Sequence, residues 1–363
     1  MNTLNRFCLA SFLLCFAAYG YAENPAPAYA LDQPAAVGCN TTAHKIDEAR
    51  FIPIGGIEQW VTIKGDNCSN PVILFIHGGP GDPLSPFADS VYGGWAKDFT
   101  LVQWDQRGSG MTFGRSPPAA GSTLTIDRMT DDGVQVASYL TQHLGQRKVI
   151  LMGSSWGSIL AIHMIKARPD LFYAYVGASQ MVSYRENQNA SYAKVLELAR
   201  AANDEKTIAT VEALGPPPWT NPRNFGILRR AIRKYEAKAT IPAPQAWWVP
   251  APAYATPGEE ANYEGGEDFS YLQFVGLNGD GMFAQVDLPK LGTTFQVPIF
   301  FIQGSEDILT APEVTRRYFE SISAPQKAFI VVPEAGHDPN VPMVDAEYEV
   351  VRERILPLPT NGL

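Results

Sequence analysis

The chain has 363 residues, with 37 acidic against 28 basic side chains, a formal charge of -9 and 45% hydrophobic content. That content fills a large core, and the acidic balance argues against nucleic acid and acidic membrane surfaces as partners. The length suits one large domain with an insertion or two ordinary domains.

In chain order, residues 1–22 read as a cleavable signal peptide. Asn2 to Arg6 is short and positive, Phe7 to Ala18 is apolar, and Gly20-Tyr21-Ala22 offers small residues at the cleavage positions. The apolar run is too short to span a bilayer comfortably, and Leu14 before Cys15 argues against lipid attachment. The expected address is therefore secreted or periplasmic. Cleavage would remove Arg6 and no acid, and would leave Cys39 and Cys68, for which one disulfide is the simplest expectation and two free thiols the alternative. Residues 23–48, rich in Pro and Ala at the start, read as a lead-in.

A core then runs over 49–180. Residues 49–64 alternate and predict an antiparallel hairpin at a sheet edge. Pro71 to Ile76 and Thr100 to Trp104 are continuous apolar runs, the mark of strands buried on both faces. The first ends in His77-Gly78-Gly79-Pro80-Gly81, where a backbone free of side chains can approach a reacting carbon. The second ends in Asp105-Gln106-Arg107-Gly108-Ser109-Gly110, where Asp105 and Arg107 are placed to pair and pin the loop. Residues 124–145 predict a helix, with Thr130-Asp131-Asp132 near its start or at a break in it.

Val149 to Met152 then feeds Gly153-Ser154-Ser155-Trp156-Gly157, and Ile159 to Ile165 continues as a helix. This is the pattern of a nucleophile elbow, a strand turning sharply into a helix with small residues two before and two after the turn. Ser155 is the candidate nucleophile. The N–H groups of Gly79 and Trp156 are the expected oxyanion donors, with Gly78 as the substitute for Gly79.

Phe172 to Gly177 predicts the next strand, and at Met181 the rhythm changes. Residues 181–292 read as an inserted, mostly helical cap: helical over 185–213, then Pro-rich, with a basic helix from Leu228 to Lys234. The core resumes over 293–363. The apolar run ending at Gly304 delivers Asp307, and Ala328 to Val332 delivers His337. An acid and a base thus reach strand-end loops after the serine, the order of a Ser155, Asp307, His337 triad, with Glu306 the competitor for the acid. Alternating strands and helices predict an α/β fold, a mainly parallel sheet covered on both faces.

Together, His77 to Gly81, Asp105 to Gly110, Gly153 to Ser158, Gly304 to Asp307 and Gly336-His337 resemble the proline iminopeptidase family of the α/β-hydrolase fold. The resemblance implies the same triad and oxyanion hole, removal of an N-terminal residue from small peptides, and cap carboxylates that hold the free amine. Candidates in the cap are Glu186, Glu259, Glu260, Glu264, Glu267 and Asp268, none of which matches a family glutamate by motif. Trp219, Trp247 and Trp248 suit a bulky or cyclic apolar group, or equally the core of the cap.

The expected partner is a small peptide, amide or ester. A carboxylesterase or lactonase with the same triad is the alternative, and a binding protein without turnover a third reading. An acidic pocket near Ser155 would favour the aminopeptidase, an apolar one the esterase. No cofactor and no metal is implied, since neither a His/Cys cluster with ligand spacing nor a phosphate-binding glycine loop is present in the sequence. Oligomeric state is not legible.

Overall fold

The computed structural model describes residues 45–358. The signal peptide, most of the lead-in and Cys39 lie outside the described residues. Cys68 is disulfide-bonded.

Two strands open the chain as a hairpin, β1 (Ile46–Ile54) and β2 (Ile57–Gly65). There follow β3 (Val72–Ile76), α1 (Ala88–Tyr92), β4 (Thr100–Trp104), α2 (Gly110–Arg115), α3 (Ile126–His143), β5 (Val149–Ser154), α4 (Trp156–Ala167) and β6 (Phe172–Ala178). Four helices come next, α5 (Tyr184–Ala201), α6 (Glu205–Glu212), α7 (Pro222–Glu236) and α8 (Pro257–Val275). The chain returns through β7 (Ile299–Gly304), α9 (Pro312–Ser321), β8 (Lys327–Val332) and α10 (Val341–Val350).

The eight strands form one sheet in the order β1-β2-β4-β3-β5-β6-β7-β8. The pairs β1–β2 and β2–β4 are antiparallel and the others parallel, which is the expected α/β arrangement with its hairpin at one edge. β3 shows why its sequence has no polar alternation. Val72, Leu74 and Ile76 join the core on one face of the sheet, Ile73 and Phe75 the core on the other. The strand order reverses beside β3, so the loops after β3 and β5 diverge there and leave room for a site at their carboxyl ends.

Between β6 and β7, helices α5, α6 and α7 build a core of their own from Val195, Val211, Trp219, Leu228 and Ile232, whereas Phe274 and Val275 of α8 join a core of the sheet. Ile308 and Leu309, next to Asp307, pack into it, so this layer grips a loop of the sheet. The helices start where local chemistry dictates. Ser183 caps α5 by accepting from Glu186 N–H, Thr256 caps α8 by accepting from Glu259 N–H, and Asn221-Pro222 opens α7.

One expectation is narrowed and one corrected. α3 has no break at Thr130-Asp131-Asp132, which lies in its early turns. Thr130 Oγ1 donates back to Ile126 O, and Asp132 is buried with partners from other elements, so these polar residues are satisfied without leaving the helix. The helix expected over 185–213 is two, separated at Ala202 to Asp204, where Asn203 takes a positive φ of 51°.

Candidate active site

Ser155 stands between β5 and α4 with φ 53° and ψ -119°, a strained conformation for an L-residue. Its neighbours must be glycine for a measurable reason. A Cβ on Gly153 would lie 2.5 Å from the carbonyl oxygen of Gly157, and one on Gly157 would lie 2.0 Å from that of Ile76 in β3. Ser158, at the wrong offset for chemistry, braces the turn: its hydroxyl donates to Ser155 O and accepts from Gln180 Nε2 and Met181 N, both at 3.0 Å.

The loops after β7 and β8 bring the partners. His337 Nε2 lies 2.9 Å from Ser155 Oγ, and its Nδ1 lies 3.2 Å from both oxygens of Asp307. The carboxylate therefore holds the Nδ1–H tautomer and leaves Nε2 free to accept the serine proton. Burial of Asp307 opposes its ionisation, but the imidazole beside it, with hydrogen bonds from His337 and Thr310, keeps the carboxyl below the usual range. Gln303 Nε2 and Thr310 N–H also donate to this carboxylate, at 2.9 and 2.8 Å. Glu306, the competitor, instead accepts from Ser305 Oγ.

Across the site, Gly78 and Gly79 line the same cavity as Ser155, and a Cβ on Gly78 would lie 3.4 Å from that of Ser155. His77 braces this loop. It is 2% exposed, its Nδ1 meets Gly78 O at 2.8 Å, and its Nε2 accepts from Gln106 N–H at 3.2 Å. Burial pushes the imidazole down to about 4, so it stays neutral. Gln106, part of the loop motif after β4 but given no role of its own by the sequence, ties both halves of the expected oxyanion hole together. Its side chain donates to His77 O at 3.0 Å and accepts from the buried Trp156 indole at 2.9 Å.

The pairing expected between Asp105 and Arg107 is not formed. Arg107 pairs with Asp132 in α3 at 2.8 Å and also donates to Gly55 O in the hairpin turn. Asp105 points elsewhere, accepting from Ser85 Oγ and Met111 N–H, and burial pushes its carboxyl up to about 7. Arg107 and Asp132 are separated by 25 positions, and only the docking of α3 against the hairpin brings them together.

Above Ser155 lies a cavity of about 870 Å³, walled by α7, α8 and the loops after β3 and β8. Of the aromatic and acidic residues singled out in the sequence, Trp248 and Glu267 line it. Trp248 packs edge-to-face on Phe87 at 5.7 Å. Trp219 is a core residue among α5, α6 and α7, its indole donating to Gly215 O, and Trp247 packs on one face of the sheet. Glu186 fills the third helical position of the Ser183 cap and bridges to Arg317 at the surface, away from the cavity wall. Asp82 and Glu236, which the sequence does not mark, are both in the wall.

Asp82 accepts from the Tyr263 hydroxyl, and the protein around it raises its pKa against the opposing effect of that hydrogen bond and of Arg233 and Arg229. Glu267 is raised by partial burial and by the charge of Asp82. Neither has an ion-pair partner among the described residues. Glu236 accepts from Ile308 N–H at 2.8 Å, so it also steadies the loop of Asp307, and burial pushes it up to about 7. Among the described residues no group of three His, Cys, Asp or Glu could hold a metal, and no helix is long and apolar enough to cross a membrane.

Known proteins match this chain over most of its length. The probable aminopeptidase YbaC of Bacillus subtilis is 29% identical over 291 residues, covering 80% of this chain and 90% of the relative. A probable proline iminopeptidase of Streptomyces coelicolor is 26% identical over 291 residues, 75% of this chain and 85% of the relative. The crystal structure of proline iminopeptidase from Mycobacterium smegmatis superposes with a TM-score of 0.56 at 18% identity, over 80% of this chain and 91% of that one, a likeness of fold. The alpha/beta hydrolase family matches residues 73–353, from the strand before the glycine loop to beyond the histidine loop. With that span matched, and with a serine, histidine and aspartate in hydrogen-bonded sequence at the ends of its strands, the chain belongs to the alpha/beta hydrolase family and is a hydrolase.

Proposed function

We propose that this protein is a secreted or periplasmic serine aminopeptidase of proline iminopeptidase type, releasing an N-terminal residue from short peptides or aminoacyl amides through an acyl-enzyme on Ser155. Ser155 Oγ attacks the substrate carbonyl while its proton passes to His337 Nε2, and Asp307 stabilises the imidazolium. The carbonyl electron pair moves onto oxygen, where the N–H groups of Gly79 and Trp156 receive it. Collapse expels the amine, which takes the proton from His337, and leaves the acyl group on Ser155. Water then repeats the sequence with Ser155 as the leaving group.

The observation that carries the peptidase reading is the pair Asp82 and Glu267 in the cavity wall, where partial burial and the charge of Asp82 disfavour ionisation of Glu267, Arg233 opposes this only from beyond ion-pair distance, and neither acid has an ion-pair partner among the described residues. A substrate ammonium supplies the direct ion-pair partner that both lack. A neutral ester has no use for it. Trp248 and Phe87 offer an apolar wall that suits a proline ring. The names of the Bacillus and Streptomyces relatives support the same activity. The disulfide at Cys68 supports export to an oxidising compartment.

The test compares a prolyl anilide with a free amine, its N-acetyl twin and a short acyl ester, with Ser155→Ala beside the unaltered enzyme. The free-amine substrate should be turned over, the blocked twin should not, and Ser155→Ala should lower kcat by about 10⁴-fold or more. Rapid turnover of the ester, with no difference between the two anilides, would replace the peptidase by an esterase.

A further inference from the structure

The basic helix seen in the sequence, α7, presents two stripes. Leu228, Ile232 and Tyr235 bury in the core shared by α5, α6 and α7, while Arg229, Arg230 and Arg233 line the cavity above Ser155. Their internal pairing is incomplete. Asp338 is the ion-pair partner of both Arg229, at 2.6 Å, and Arg233, at 3.4 Å, and Arg230 has no ion-pair partner among the described residues. Arg229 Nη1 is buried with no hydrogen-bond acceptor and lies 3.7 Å from Glu236 Oε2. Arg230 and Arg233 are exposed and line the cavity, so an anion delivered to this face meets guanidinium groups whose charge is only partly balanced.

Resting on the aminopeptidase reading, we infer that this arginine face receives the C-terminal carboxylate of the substrate, so that the enzyme selects zwitterionic dipeptides and tripeptides. The planar guanidinium matches a carboxylate and no other part of a peptide so well, because two parallel N–H groups meet two oxygens. An extended dipeptide spans roughly 7 Å and a tripeptide roughly 10 Å, so both poles of the substrate must share one cavity. Here they do. Asp82 and Glu267 for the ammonium, and the three arginines for the carboxylate, line the same space as Ser155. A longer peptide would carry its carboxylate past the arginines and forgo their contribution.

The test measures kcat/KM for a dipeptide with N-terminal proline as its free acid and as its C-terminal amide, with prolyl anilide as the substrate that has no second pole. The acid should exceed the amide by about 10- to 100-fold, mainly through KM. Arg230→Gln and Arg233→Gln should narrow that ratio, and Arg230→Lys should retain part of it. Arg229 is left alone because it also holds Asp338 and Glu236, and a melting curve shows that each variant is folded. Equal rates for acid and amide, with the anilide still hydrolysed, would overturn the carboxylate receptor and leave the aminopeptidase standing. A ratio unchanged in both folded Gln variants would overturn it as well. If no free-amine substrate is hydrolysed, both readings fall together.

Discussion

Glu347 in α10 is 3% exposed, lines the cavity and accepts one hydrogen bond, from the Tyr92 hydroxyl at 3.2 Å. Burial pushes its carboxyl from the ordinary 4.5 up to about 8. Because the folded state holds this proton more tightly than the unfolded chain, its contribution to stability is full below about pH 4.5 and is lost as pH rises through about 8. Within that window the loss approaches about 1.4 kcal/mol per pH unit. Glu347→Gln should therefore flatten the fall of Tm between about pH 5 and about pH 8, and an unaltered slope would show that another group sets it. Such a residue leaves no trace in sequence. Ser155, Asp307 and His337 are legible because each directly follows an apolar strand run or the loop it ends in, whereas Gln106 matters only through contacts with His77 and Trp156, 29 and 50 positions away.

At the scale of elements, the elbow joins β3, β5 and α4 at van der Waals contact. Gly157→Ala would press a methyl group toward the Ile76 carbonyl at 2.0 Å and should destabilise the fold by about 3 kcal/mol or more, with loss of activity. Gly94→Ala, where the added carbon meets nothing within 4 Å, should shift stability by less than about 0.5 kcal/mol. Equal melting temperatures for the two variants would show that the elbow relaxes freely. Strands and helices of the sheet are readable because their periods are local. The capping signature Ser183-Tyr184-Arg185-Glu186 is local too, and it accounts for Glu186 better than substrate binding does. The Arg107 to Asp132 pair is not readable, since it depends on which face of α3 meets the hairpin.

At the scale of the molecule, a sheet that resembles many hydrolases is overlaid by a helical layer that walls the space above the serine. Which cap residues face Ser155 follows from how α7 and α8 dock, and that is set by packing of Leu228, Ile232 and Phe274 rather than by any motif. Hence Glu267 is only one of several acids in the sequence, and Asp82 and the arginines of α7 emerge from the fold. If this layer reads a free amine, as we propose, the most direct test is the ratio of kcat/KM for prolyl anilide over N-acetylprolyl anilide, measured in the unaltered enzyme and in Glu267→Gln. The expected ratio is about 10²-fold or more, and it should fall by about 10-fold in the variant, as for loss of one charged hydrogen bond. A ratio near one in the unaltered enzyme, or one untouched by Glu267→Gln, would contradict an amine-reading cap.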